Sequence, residues 1–124
     1  QLKKLDNLID KKYGRISKYK QFLESLNVEL PIKIPETRNI NWMHPILFET
    51  REIRDRVKEN LEKNNIPTGE MFYPCHKQLH LNGDKLNLQI SDLVFNTWLI
   101  LPDSLDLTDE EIEFVVDKIK EVVG

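Results

Sequence analysis

Cysteine occurs once in this sequence, at position 75. A lone thiol excludes an internal disulfide framework and suits a reducing compartment, so the cytoplasm is the expected setting. Long apolar runs are missing too. None approaches the roughly 18 residues of a membrane-spanning helix, and the opening QLKKLDNLID lacks the pattern of a secretory signal. Nor is there a basic excess: 18 Lys and Arg stand against 21 Asp and Glu, mixed along the chain for a formal charge of −3. A nucleic-acid surface needs a basic patch or stripe, so neither nucleic acid nor membrane is an expected partner. No segment is repeated or compositionally biased. At 124 residues the chain is expected to form one domain around one modest core.

The segments that remain carry clear periodicities. Leu2, Leu5, Ile9, Ile16, Leu23 and Leu26, with Tyr13 and Tyr19, fall mostly three or four apart and predict a helix to about Leu26. Gly14 interrupts it, as a kink or a close-packing point. No capping residue precedes Leu2, so the chain is expected to enter a helix part-way along, as a fragment of something longer would. VELPIKIPETRN reads as an extended linker, because each proline pushes its predecessor out of the α region. INWMHPILFE is strand-like, and Pro45 puts it at a sheet edge or bulge. Thr50 caps a second helix with Ile53, Val57 and Leu61 on one face, ended by Asn64-Asn65. IPTGEMFYP predicts a turn into a short strand, and HLNGDK carries an Asn-Gly turn signal. A short helix over Ser91 to Asn96 leads to a strand over Trp98 to Leu101, stopped by Pro102. Thr108 and Glu111 form a capping box for a last helix whose apolar face is Ile112, Val115, Val116, Ile119, Val122 and Val123. Helices and strands thus alternate, which predicts a small α/β domain of the α+β two-layer kind, with helices over one side of a short sheet.

The densest chemistry is FYPCHKQLH, residues 72–80. Cys75, His76 and His80, with His44 as a fourth, could in principle ligate a metal. Their spacing matches none of the paired patterns of structural zinc, so no metal is expected. Cys75 next to His76 does not make a nucleophile, since catalytic partners meet in space; a small buried hydrophobe is the plainer reading. His44 and His80 read as solvated or structurally hydrogen-bonded. Tyr73, Trp42 and Trp98 read as core or pocket lining. KKYGRISKYK reads as the solvated side of the first helix, and the acidic DLTDEEIE run follows from the capping box and the helix dipole.

The series of motifs nevertheless resembles one family. NWMHPILFETREIRDRVKENLEKNNIPTGEMFYPCHKQ is similar to the C-terminal segment of pyridoxal-phosphate (PLP)-dependent nucleotide-sugar aminotransferases of the DegT/DnrJ/StrS type, nearest the perosamine synthetase branch. In that branch a Trp-Met strand and a helix lead to a Gly-Ile-x-Thr-Arg turn. An aromatic-Pro-x-His-x-Gln segment follows, here Tyr73-Pro74-Cys75-His76-Lys77-Gln78. A Leu-Pro pair then precedes a Leu-Thr-x-Glu-x-Ile helix, here Leu101-Pro102 and Leu107 to Ile112. The opening QLKKLDNLIDKKYGRISKYKQFL resembles the long helix that joins the cofactor domain to the small one. The resemblance covers essentially the whole chain.

The resemblance implies the small C-terminal domain of a fold-type I aminotransferase, residues 1–124, with residues 1–26 the linking helix entered midway and the large PLP-binding domain absent. It implies a parent enzyme that is a homodimer and passes an amino group, usually from glutamate, to a keto nucleotide sugar. The lysine, the acid facing the pyridine nitrogen and the phosphate cradle would lie in the large domain. With four glycines and no serine-flanked lysine motif of the family's kind, the chain alone is expected neither to transaminate nor to hold PLP tightly. By the same resemblance Tyr73 and His76 approach the active-site cleft, with His76 facing substrate. Two positions depart from the pattern. Thr68-Gly69 stands where the branch has Thr-Arg, and Asp103 where the family often has Ser after Leu-Pro. The lost cation predicts a different sugar, or a sequence released from catalytic selection. A stand-alone, non-catalytic interaction module is the alternative expectation. An apolar patch on the first helix, left exposed where the missing domain would pack, is expected to favour artificial self-association.

Overall fold

The computed structural model of the protein describes residues 2–32, 34–40, 42–81 and 86–124. After a single 3-10 turn, helix α1 spans Leu5–Leu23. Strand β1 (His44–Leu47) follows the linker, then helix α2 (Arg51–Lys63) and the two-residue strand β2 (Gly69–Glu70). Two 3-10 turns lead to helix α3 (Gln89–Thr97), which passes directly into strand β3 (Trp98–Leu101), and helix α4 (Asp109–Val123) completes the chain. The alternation of helix and strand expected from periodicity is the order observed. No helix among the described residues is long and apolar enough to cross a membrane.

The sheet is wholly antiparallel, in the order β1-β3-β2. β1 is therefore an edge, where Pro45 removes no ladder donor that the sheet interior needs. In the register His44 faces Leu101 and Ile46 faces Leu99. Directly opposed residues of an antiparallel pair share a face, and these four are all buried. Pro45, Leu47, Trp98 and Ile100 turn to the other, half-exposed face. One side of the sheet is thus covered by helices and one is open, the two-layer α+β arrangement.

Helix α4 closes the covered side. Its capping box is complete: the Glu111 N–H donates to Thr108 Oγ1 at 3.2 Å, and the Thr108 N–H donates to Glu111 Oε2 at 2.8 Å. Two of the donors that a helix start leaves orphaned are satisfied reciprocally. Ile112, Val115, Val116 and Ile119 are buried, and α4 packs against both α1 and α2. From α2 come Val57 and Leu61, from α1 Tyr19 and Leu23. Each such side chain contributes roughly 1.5–3 kcal/mol on burial. Thr50 accepts from the Ile53 N–H at 3.3 Å and starts α2, while Asn65 ends it with φ at 58°, the left-handed conformation that Asn tolerates.

Three details differ from the periodicity. Helix α1 stops at Leu23, and its apolar stripe is covered only in its second half: Leu2 and Leu5 are exposed, Tyr19 and Leu23 buried. The second strand falls on Gly69–Glu70, ahead of the aromatic pair, because Gly69 comes so close to Ile100 that a Cβ would lie 3.2 Å from that residue's own Cβ. Gly14 lies in an unbroken helix with nothing within 4 Å of where its Cβ would be, so neither kink nor close packing accounts for it. The Asn-Gly turn at 82–83 lies outside the described residues.

Candidate functional site

Pro74 supplies the fixed φ that starts a 3-10 turn over Cys75–Lys77. That turn sets the direction of its side chains. His76 points inward and is 7% exposed, with Nε2 3.1 Å from Asp92 Oδ1. Lys77 reaches the same oxygen at 2.7 Å. Tyr73, 54% exposed, sets its ring edge-on to that of Phe95, with centroids 5.4 Å apart. Asp92 and Phe95 are three residues apart on α3, hence on one face of it. Tyr73 and His76 are likewise three apart on their own segment. Both residues singled out in the sequence therefore meet the same face of α3.

Charge at this face is partly compensated. The Lys77 ammonium, bonded to the Asp92 carboxylate, holds it below the usual carboxylate range, with His76 adding in the same direction. Asp92, Phe95 and Lys77 were not among the residues that the sequence alone marked. The signal that could have marked them is the i, i+3 spacing of Asp92 and Phe95 on a short helix following the histidine segment.

The remaining chemistry of the segment is dispersed. Cys75 is exposed rather than a buried hydrophobe, because the 3-10 turn that buries His76 directs its neighbour outward. His80 is exposed. Among the described residues, no group of three His, Cys, Asp or Glu is arranged to hold a metal ion.

His44 is not solvated. It is 4% exposed, and its ring stacks on Tyr19 with centroids 4.7 Å apart. Its Nε2 is buried without a hydrogen-bond partner. Burial pushes its pKa down to about 4, outweighing the attraction of Asp103, while Lys12 adds to the depression. The Tyr19 hydroxyl donates to the Pro102 carbonyl at 2.8 Å, and burial first, Asp103 second, raises its pKa. Beside this pair runs a groove of about 800 Å³, walled among others by Tyr13, Ile16, Trp42, Met43 and Trp98. Trp42 and Trp98 are thus pocket lining; Tyr73 and His76 lie outside the groove.

The basic run of α1 is not simply solvated. Lys12 pairs with Asp103, Arg15 donates to the Leu105 carbonyl, and Lys18 pairs with Asp109 at 2.7 Å. Asp103 is one of the two positions that depart from the DegT/StrS-type pattern, and its carboxylate is used here to hold α1.

A family model described as the DegT/DnrJ/EryC1/StrS aminotransferase family matches residues 1–120. The chain belongs to that family. It is 26% identical over 121 residues to the GDP-perosamine synthase of Escherichia coli O157:H7, across 98% of this chain and 33% of that protein. The aminotransferase TlmJ from Streptoalloteichus hindustanus superposes with a TM-score of 0.88 at 19% identity, over 98% of this chain and 33% of that one. The PLP form of Spr1654 from Streptococcus pneumoniae, described as a sugar aminotransferase, gives 0.84 at 17% identity, over 98% and 33%. At such identities the two structures establish the fold. The chain spans about a third of the length of these relatives.

A lysine that forms a Schiff base works from a desolvated pocket. No lysine of this DegT-family chain is buried among the described residues; Lys33 and Lys85 lie outside them.

Proposed function

We propose that this chain forms the substrate side of a PLP-dependent sugar aminotransferase. The whole enzyme would pass an amino group, from glutamate, to a keto nucleotide sugar, acting as a homodimer in the cytoplasm. The cofactor, its lysine and its phosphate cradle would belong to the remaining two-thirds of the protein, and the chain by itself would be inert. The observation that carries the reading is the placement of Tyr73 and His76 against one face of α3, in a chain whose family match runs over residues 1–120. His76 there has one nitrogen held by Asp92, which fixes the ring while leaving the other nitrogen for a ligand.

The test is His76→Ala in the full-length protein, assayed with a 4-keto nucleotide sugar and glutamate. Loss of one hydrogen bond of about 1.5 kcal/mol lowers kcat/KM about tenfold. An unchanged kcat/KM removes His76 from the site. For the chain alone, PLP added in stoichiometric amount is expected to keep the absorption of the free cofactor; a bound-cofactor band would overturn its inertness.

A further inference from the structure

We infer that Asp92 sets His76 as a hydrogen-bond acceptor, so that the ligand group meeting His76 is a donor, a hydroxyl or an ammonium, and not a phosphate oxygen. The inference rests on the reading of His76 as substrate-facing and narrows the chemistry of that contact.

An ionised carboxylate has no proton to give. Asp92 Oδ1 receives Lys77 Nζ at 2.7 Å and faces His76 Nε2 at 3.1 Å, so the hydrogen of the second contact belongs to Nε2. A neutral imidazole carries one N–H only, which leaves Nδ1 as a lone-pair acceptor. Nδ1 has no hydrogen-bond partner among the described residues, in a ring that is 7% exposed.

Lys77 has a second effect. It already supplies a positive charge to the carboxylate, so Asp92 needs a hydrogen from His76 but not a second cation. It also binds the same oxygen that faces the ring, and thereby holds that oxygen toward Nε2. In the neutral ring the free nitrogen offers a lone pair, which meets a hydroxyl or amine donor and repels a phosphate oxygen. A sugar hydroxyl or an amine offers the donor that Nδ1 lacks. Asp92 is in this account a positioning residue, acting through His76.

Nitrogen-15 NMR of histidine-labelled protein reads the tautomer directly. In the 124-residue chain at pH 8, His76 is expected to show a protonated Nε2 and an unprotonated Nδ1. Asp92→Ala is expected to bring the two tautomers into exchange. Asp92→Asn is expected to keep the original one, because Lys77 still holds the amide oxygen toward the ring. A protonated Nδ1 in the parent chain, or an unaltered tautomer in Asp92→Ala, overturns the inference. Should Asp92→Ala fail to fold, the parent spectrum and Asp92→Asn decide; an Asp92→Asn protein that switches to protonated Nδ1 counts against it. Inorganic phosphate titrated into the chain is expected to leave the His76 signals in place, and a saturating shift would also overturn it. None of these readings depends on kcat/KM in the full-length protein, so a failure of His76→Ala there is a separate result.

Discussion

His44 lies on the ring of Tyr19 at an interplanar angle of 26°, within the covered face of the sheet, and its Nε2 has no partner. A histidine so placed is a neutral, aromatic core residue.

Its titration makes a prediction about acid. The His44 pKa is about 4 in the folded chain, against 6.5 for an ordinary histidine. Between those values the unfolded chain binds the additional proton, so stability falls as pH drops through this window and the loss is complete below it. The total is about 3 kcal/mol. The groups facing the ring are Asp103 and Lys12, already opposed to one another. His44→Phe keeps the stacking and removes the proton. Urea midpoints measured from pH 7 to 4 should be flatter for that variant. Asp92, Glu70 and Glu121, whose carboxyls are held low by their lysines, begin to lose their contribution at the acid end of this window and lose the rest further into acid.

Gly14 occupies an exposed position in an unbroken helix with open space at its Cβ site. Gly14→Ala should therefore stabilise the chain by about 0.5–1 kcal/mol, chiefly by narrowing the unfolded ensemble. Thermal melts check it; a lower Tm would reveal a constraint at Gly14 that the helix does not display.

Thr108→Ala deletes the acceptor for the Glu111 N–H and loosens the returning Glu111 bond. The expected cost is about 1 kcal/mol. Since α4 carries four buried core residues, fraying at its start should appear first as faster amide exchange over Asp109 to Ile112.

Asp103→Ser restores the residue common in the family and should cost about 1 kcal/mol, the upper end for a partly exposed pair. Lys12→Met should cost more. Lys12 also donates to the carbonyls of Asp103 and Trp42, at 3.2 and 3.4 Å, and these lose their donor. Equal costs, measured by denaturation, would mean that the carbonyl contacts contribute nothing.

What the sequence made legible is what depends on neighbours along the chain. The capping box at Thr108, the cap at Thr50, the left-handed Asn65 and the strand Trp98–Leu101 each follow from residues within a few positions of one another. What was not legible depends on residues far apart. Lys12 and Asp103 are separated by 91 positions, and nothing local to KKYGRISKYK says that its cations have partners. His44, on β1, and Tyr19, on α1, are brought together only by the tertiary fold. At the candidate site, His76 and Tyr73 were marked by resemblance, whereas Asp92 became visible only when α3 placed it beside the ring. The exposure of Cys75 follows from the 3-10 turn over Cys75–Lys77, in which the neighbouring His76 takes the buried position.

Lys12, Arg15 and Lys18 grip the stretch from Asp103 to Asp109 at three points along roughly 9 Å of the α1 axis. At three-residue spacing these anchors also wind part-way round the helix. A rod fastened at one point can roll or pivot, but one fastened along a spiral can do neither without dragging its mooring. Torque applied to α1 would accordingly pass into the stretch between β3 and α4, and so into the seating of α4, instead of being lost in the long linker that follows α1.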